Sequence, residues 1–240
     1  MTIPTIQQVE QEQARRKYYR YVEYVNRNSG YIHGRFTLFL SNLVQQFLET
    51  ETKNAYDILC LSVPPQHSKS ETVTKALPSY IMGKYPTERT IIVSYNSDMA
   101  ELFLQSNRQK LADHMELFNI EIVKNTQGEV ANKFGGTIFA RGILSGITGL
   151  PAKYVIIDDP VKNQEEADSP TMREKMYRAW LSEIKSRLAP GAKVIVIQTR
   201  WHQQDLTGML IENEPNVKVI NLPVVCETET DILGRKFGET

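Results

Sequence analysis

Ile58-Leu59-Cys60-Leu61-Ser62-Val63-Pro64-Pro65-Gln66-His67-Ser68-Lys69-Ser70 sets the reading of the whole chain. The run from Ile58 to Val63 carries no charge and stops at two prolines, which cannot donate to a sheet ladder. It reads as a buried strand. The residues after it, over 70–84, are helix formers, so the polar turn joins the carboxyl end of a strand to the start of a helix. A phosphate-binding loop needs that setting, because backbone N–H groups and a helix N-terminus together cradle β- and γ-phosphates. Lys69 would add a point charge and the Ser70 hydroxyl would ligate Mg²⁺. Against the pattern G-x-x-x-x-G-K-[ST] only Lys69-Ser70 fits, since Val63 and Ser68 stand at the glycine positions. Taken alone, the turn reads more readily as an ordinary strand-to-helix connection with a serine cap, and context must decide.

The same punctuation recurs along the chain. Thr90–Tyr95, Tyr154–Ile157 and Lys193–Ile197 are further apolar runs, and Val217–Ile220 is a weaker one. Helical stretches lie between them at 97–116, 170–188 and 203–213. Buried strands alternating with helices imply an α/β fold with a central, mostly parallel sheet covered by helices on both faces. The segment 121–151 is richer in Gly and Thr and reads as a hairpin, Glu121–Lys124 with Lys133–Arg141, followed by a loop over 145–149. Upstream, residues 6–28 read as one helix ended near Asn28-Ser29-Gly30, with Tyr18 and Tyr21 facing the core. A second amphipathic helix runs from Arg35 to Glu51. From Glu227 to Thr240 the apolar pattern is lost, as in a linker or tail.

Lys plus Arg and Asp plus Glu both total 28, so the 240-residue chain carries no net charge. That excludes a generally basic nucleic-acid coat and an acidic tail, while leaving room for a local DNA-contacting patch. With 41% hydrophobic residues the chain can bury a substantial core. Cys60 and Cys226 offer no disulfide framework, which points to a reducing compartment. No apolar run is long enough to span a membrane, and the N-terminus is too polar for a signal peptide. A soluble intracellular globular chain is the expectation.

Two further strand ends carry chemistry. Ile156-Ile157-Asp158-Asp159-Pro160 closes an apolar strand with paired acids, and ligands in parallel sheets sit at the carboxyl ends of strands. One acid there can hold Mg²⁺ and a second can orient or deprotonate an attacking water. Asp-Asp-Pro is also good turn chemistry. Gln198-Thr199-Arg200-Trp201-His202 ends the next strand, where polar groups can sense a γ-phosphate. Alternatively Thr199 caps the following helix and Trp201 packs beneath it.

Taken in order, Pro64–Ser70, Ser94-Tyr95-Asn96, Ile156–Asn163 and Gln198–His202 resemble the large terminase subunit of tailed bacteriophages, over about Tyr31 to Gly238. In that family an N-terminal ATPase drives DNA into a procapsid and a C-terminal nuclease cuts it. The resemblance implies a P-loop NTPase of the RecA-like, additional-strand class. An N-terminal helical segment (1–52) would precede the core (53–226), and a linker (227–240) would lead toward a nuclease domain absent from this chain.

Carried over, the resemblance makes Gln66–Ser70 the Walker A loop, with Pro65, Gln66, His67, Ser68, Lys69, Ser70 and Glu71 contacting ATP. Ser70 and Asp158 hold Mg²⁺, Asp159 takes the place of the catalytic glutamate, and Thr199 with Arg200 couples hydrolysis to movement. Tyr31, His33 and Arg35 are placed to contact the nucleotide base. Arg141 is the first candidate for an arginine finger, ahead of Arg200 and Arg35. Double-stranded DNA, a portal protein, a small terminase subunit and a ring of copies are the implied partners, in the host cell cytoplasm and without a membrane. The chain departs from the family at Gln66, where many members have arginine, at Ser68, where they have glycine, and at Asp159, one methylene shorter than glutamate. Three other readings compete: a stand-alone helicase-like translocase, a DNA-maturation module whose phosphate loop has decayed, and a metal nuclease built on Asp158, Asp159 and Asp168.

Overall fold

The computed structural model describes residues 3–146, 149 and 151–240. In chain order the elements are α1 (Ile6–Arg16), α2 (Tyr18–Asn26), α3 (Arg35–Glu49), β1 (Tyr56–Ser62), α4 (Lys69–Thr72), α5 (Leu77–Lys84), β2 (Arg89–Ser94), α6 (Ser97–Asp113) and α7 (Met115–Phe118). They continue with β3 (Ile122–Thr126), β4 (Glu129–Asn132), β5 (Thr137–Gly142), β6 (Ala152–Asp158), α8 (Gln164–Asp168), α9 (Pro170–Ala179), β7 (Leu188–Gln198), α10 (Leu206–Asn213) and β8 (Val217–Asn221). The strands form one sheet of eight in the order β3-β4-β5-β2-β6-β7-β1-β8. From β5 to β8 every pairing is parallel, and β4 and β3 extend that sheet antiparallel at one end.

The expected α/β architecture with a mostly parallel sheet is therefore present. Alternate residues of each central strand face opposite layers. Leu59, Leu61, Ile156, Ile195 and Ile197 pack with Tyr18, Tyr21, Leu40, Val44 and Tyr80 of the N-terminal helices and α5. Ile58, Cys60, Val155, Ile157, Val194 and Val196 pack instead against Met176, Trp180, Leu206 and Leu210 of α9, the turn after it and α10. Both cysteines are free and buried.

Four details differ from the sequence expectation. The helix over 6–28 is two helices, because Lys17 is extended (φ −119°, ψ 119°). The gap is bridged from α3: Gln45 Oε1 accepts from Tyr18 N at 2.8 Å and Gln45 Nε2 donates to Arg16 O at 2.9 Å. The helix over 70–84 breaks at residues 73–76. Pro78 has no N–H to offer the carbonyl four residues back, that of Thr74, and its ring crowds it. The hairpin is three strands rather than two, because the chain turns between Asn132 and Thr137 and β5 then joins β2 in parallel. The polar stretch after Asp159 contains the short helix α8. In the predicted loop over 145–149, Ile147 and Thr148 lie outside the described residues.

The last residues fold back on the segment after β8. Arg235 donates to Pro223 O and Val224 O, both at 2.8 Å, and pairs with Asp231 at 2.7 Å, while Cys226 N donates to Glu239 O at 2.8 Å. Replacing Gln45 with leucine would strand the buried Tyr18 N–H and leave the Arg16 carbonyl with the weaker Tyr80 hydroxyl contact at 3.3 Å. We expect Gln45→Leu to lose about 2 kcal/mol, read as a lower urea midpoint at unchanged m-value.

Candidate nucleotide site at three strand ends

The candidate loop leaves β1 at Ser62, and Val63 N still pairs with Gln198 O of β7 at 3.1 Å. Pro64 and Pro65 end the ladder. Gln66 (φ 63°) and Ser68 (φ 54°) then adopt left-handed backbone, at about 1–2 kcal/mol each for a residue with a side chain. Ser68 thus takes the conformation glycine gives for free at that position in the P-loop pattern. Its side chain does not cap α4. His67 Nδ1 donates to Pro65 O at 2.8 Å, and the His67 ring meets Phe36 edge-on with centroids 6.1 Å apart.

The paired acids diverge. Asp158, the last residue of β6, is 1% exposed. Its Oδ1 accepts from Ser70 Oγ at 3.1 Å, its Oδ2 accepts from Thr74 Oγ1, and its carbonyl accepts from Ser94 Oγ at 2.9 Å. Asp159 follows with left-handed backbone (φ 41°). Its Oδ1 accepts from Lys69 Nζ at 2.8 Å and from Thr199 N at 3.0 Å, and Lys69 Nζ also donates to Thr199 Oγ1 at 2.8 Å. Lys69 is 7% exposed, so this is a largely buried cation held between two strand ends. Of the sequence-predicted residues, Lys69, Ser70, Asp158, Asp159 and Thr199 converge here.

Burial, reinforced by the neighbouring Asp159 charge, pushes the Asp158 carboxyl up to about 6, against the Thr74 and Ser70 hydrogen bonds that favour its ionised form. A divalent cation would reverse that penalty. Ser70 Oγ and Asp158 Oδ1 form a small, hard oxygen pair of the kind Mg²⁺ uses when substrate phosphates and waters complete its shell. Among the described residues no group of three or more His, Cys, Asp or Glu side chains forms a cage of its own. The donors present fit a metal brought in with a phosphate ligand.

The other predicted residues are more dispersed. Tyr31 OH lies 3.1 Å from Thr72 Oγ1 on α4 and 3.3 Å from His33 Nδ1, and His33 Nε2 donates to Tyr19 O at 2.9 Å. These two rings brace the first turn after the loop. Arg35 sits 4.0 Å from Glu239 and, with Phe36, Pro64, His67 and Arg235, lines a cavity of about 670 Å³ beside the loop. Glu71 pairs with Lys75 at 3.0 Å and with Lys110 at 3.6 Å. Arg141 lies on β5, where its guanidinium donates to Gly128 O and Ala140 O at 3.2 and 2.7 Å. Arg200 is tied to the loop after β7, donating to Asp205 Oδ2 at 2.6 Å and to Gln203 O at 2.8 Å.

Asp205, not Thr199, caps α10, through Gly208 N at 3.0 Å, and Trp201 is 40% exposed. Asp168 is exposed on α8 and bonded to Gln164. Thr74 and Asp205 carried no sequence signal, since each is an ordinary residue until the fold sets it against a partner.

A family model described as terminase large subunit, T4-like-virus type, N-terminal, matches residues 60–234. No curated protein matches the chain. Among solved structures, the large terminase of bacteriophage HK97 superposes with TM-score 0.55 at 12% identity, over 84% of this chain and 41% of that one. This chain therefore spans less than half the length of the HK97 protein. A point variant of the ATPase domain of the Thermus phage P74-26 large terminase gives 0.49 at 16% identity over 80% and 82%, and the N-terminal domain of the bacteriophage phi29 DNA packaging ATPase gives 0.44 at 10% over 75% and 93%.

The raised Asp158 pKa makes a pH prediction. A carboxyl that binds its proton more tightly folded than unfolded favours folding at low pH, and that contribution is lost as pH rises from the unfolded value to about 6. Above that range the ionised, metal-free carboxylate opposes folding by up to about 3 kcal/mol. Asp158→Asn should stabilise the metal-free protein at pH 8 by about 1–3 kcal/mol. In urea denaturation the gap between variant and wild type should close toward pH 4.

Proposed function

This chain belongs to the T4-like-virus-type terminase large-subunit family, of which it carries the N-terminal part, and we propose that it is the ATP-hydrolysing motor domain of a viral DNA-packaging terminase. The observation that carries the proposal is the Lys69 ammonium bridging Asp159 and Thr199 beside a loop with glycine-like backbone. β7 lies between β1 and β6, which supports the additional-strand reading of the P-loop fold.

ATP is the proposed substrate. The amides of Gln66 to Ser70 cradle its phosphates, and its base enters the cavity lined by Arg35, Phe36 and His67, with Tyr31 and His33 behind and Pro65 and Glu71 flanking. Ser70 and Asp158 would hold Mg²⁺, which when bound neutralises charge on the β- and γ-oxygens. Anionic phosphate draws Lys69 away from Asp159. The freed carboxylate then accepts a hydrogen bond from water and aligns it for attack. Thr199 loses its lysine partner in the same exchange, and the change passes along β7 and through Arg200 and Asp205 to α10. The strained backbone at Gln66 and Ser68 argues against a decayed loop, because a loop with no ligand has no reason to retain that cost.

The motor reading extends to double-stranded DNA as cargo and to a portal protein, a small terminase subunit and further copies in a ring as partners, in the host cytoplasm. Among the described residues no helix is long and apolar enough to cross a membrane. Residues 1–52, 53–226 and 227–240 serve as helical segment, ATPase core and linker. Arg141 remains the proposed finger. To serve a neighbour it must exchange the Gly128 and Ala140 carbonyls for a phosphate.

Lys69→Ala is expected to abolish ATP hydrolysis, and full retention of rate would overturn the loop assignment. Asp159→Asn is expected to leave Mg-ATP bound and uncleaved. The specific ATPase rate, followed across a wide range of protein concentration, should climb if neighbours complete each site, and Arg141→Ala should flatten that climb. A measurable rate that is already flat in the wild type removes the finger from Arg141.

A further inference from the structure

Thr74 is wholly buried, four residues beyond Ser70, and no part of the phosphate-loop pattern includes it. Its Oγ1 donates to Asp158 Oδ2, the oxygen that Ser70 leaves free. The backbone around it is held with equal care. Pro78 denies the Thr74 carbonyl a helical partner, and Asn107 of α6 replaces it, with Nδ2 donating to Thr74 O at 2.9 Å while Oδ1 accepts from Ser79 N at 2.9 Å. Asn107 is itself fully buried, and Nδ2 is anchored a second time on Phe103 O at 2.8 Å. A single side-chain amide thus spans the break between α4 and α5 and fixes the residue whose hydroxyl meets the buried acid.

We propose that Thr74 is a positioning residue for the metal-binding carboxylate, setting the Asp158 side chain so that Oδ1 is presented beside Ser70. The proposal rests on the nucleotide-site reading above and deepens it. Ser70 is the hydroxyl assigned to the cation, which would take an oxygen lone pair and leave the Ser70 proton on Asp158 Oδ1. Thr74 is the side-chain donor on the other carboxylate oxygen, away from the cation. Outer-shell hydrogen bonds of this kind are worth about 10- to 100-fold in metal affinity. The Asn107 bridge makes the arrangement rigid, because moving Thr74 would take its buried carbonyl away from the Asn107 donor.

Calorimetric titration of the whole chain with ADP, in excess EDTA and in excess Mg²⁺, separates this role from packing. Thr74→Val keeps the shape and removes the donor, and Thr74→Ser restores it. We expect Thr74→Val to lose about 10-fold or more of the Mg²⁺-dependent gain in ADP affinity, with affinity in EDTA unchanged and Thr74→Ser close to wild type. Thr74→Ala replaces the valine variant if circular dichroism shows the latter unfolded. A hydroxyl-free variant with the wild-type Mg²⁺ gain, or one weakened equally in both buffers, overturns the Thr74 assignment alone. Wild-type chain that binds ADP in neither buffer overturns the nucleotide-site reading, and the Thr74 assignment falls with it.

Discussion

The pairing of β7 with β1 on one side and β6 on the other levels three strand ends at one edge of the sheet. Ser62 lies opposite Gln198 and Asp158 opposite Ile197, so the loop after β1, the acids after β6 and Thr199 after β7 begin within one residue of the same line. Parallel strands joined by helical crossovers all present their carboxyl ends to the same side. A slip of two residues in either pairing would keep the core faces matched and pull Lys69 out of reach of Asp159. The chemistry depends on register more than on any single contact.

That register is held from both faces. Apolar side chains of β1, β6 and β7 alternate between the layer of N-terminal helices and α5 and the layer of α9 and α10, so a one-residue slip would exchange the side chains fitted to the two layers. The N-terminal helices also reach the site directly, since Tyr18 OH donates to Thr72 O and Tyr21 OH to Ser79 Oγ, the latter at 2.8 Å. Gln45 and Asn107 perform the same task at two helix breaks. Each offers one amide whose oxygen and nitrogen pair with an N–H and a C=O that the break leaves without a helical partner. Helix breaks in the interior are costly unless every freed N–H and C=O finds a partner, and here the partner is a side chain from another helix.

At its centre the junction holds a cation and two carboxylates in close quarters. Lys69 is shared between Asp159 and Thr199, while Asp158 has only hydroxyl donors and its carboxyl is pushed up to about 6. Asp159 is thus neutralised and Asp158 is left wanting positive charge. Under the proposed function, a magnesium nucleotide would supply the missing charge and compete for the lysine in the same event, tying substrate entry to the release of Asp159.

The strands of the parallel core were legible because a strand buried on both faces must be apolar throughout. Ile58–Val63, Thr90–Tyr95, Tyr154–Ile157 and Lys193–Ile197 leave little else to read, and the polar residues at their ends named Lys69, Asp158, Asp159 and Thr199. β4 was missed because four residues at the margin of a sheet give too short a period to count. The break at Lys17 was missed because no glycine or proline marks it, and its cause is a glutamine 28 positions away. Pro78 lies beside the second break, which the reading of 70–84 as one helix passed over, and only the tertiary structure shows that the break sets Thr74 against Asp158. Local pattern determined the strands, the loop and the residues at the strand ends, since burial and turn chemistry act over a few neighbours. Which of those ends meet, which hydroxyl faces which acid and which arginine is already occupied were decided in three dimensions, because hydrogen bonds between distant segments leave no periodicity in the chain.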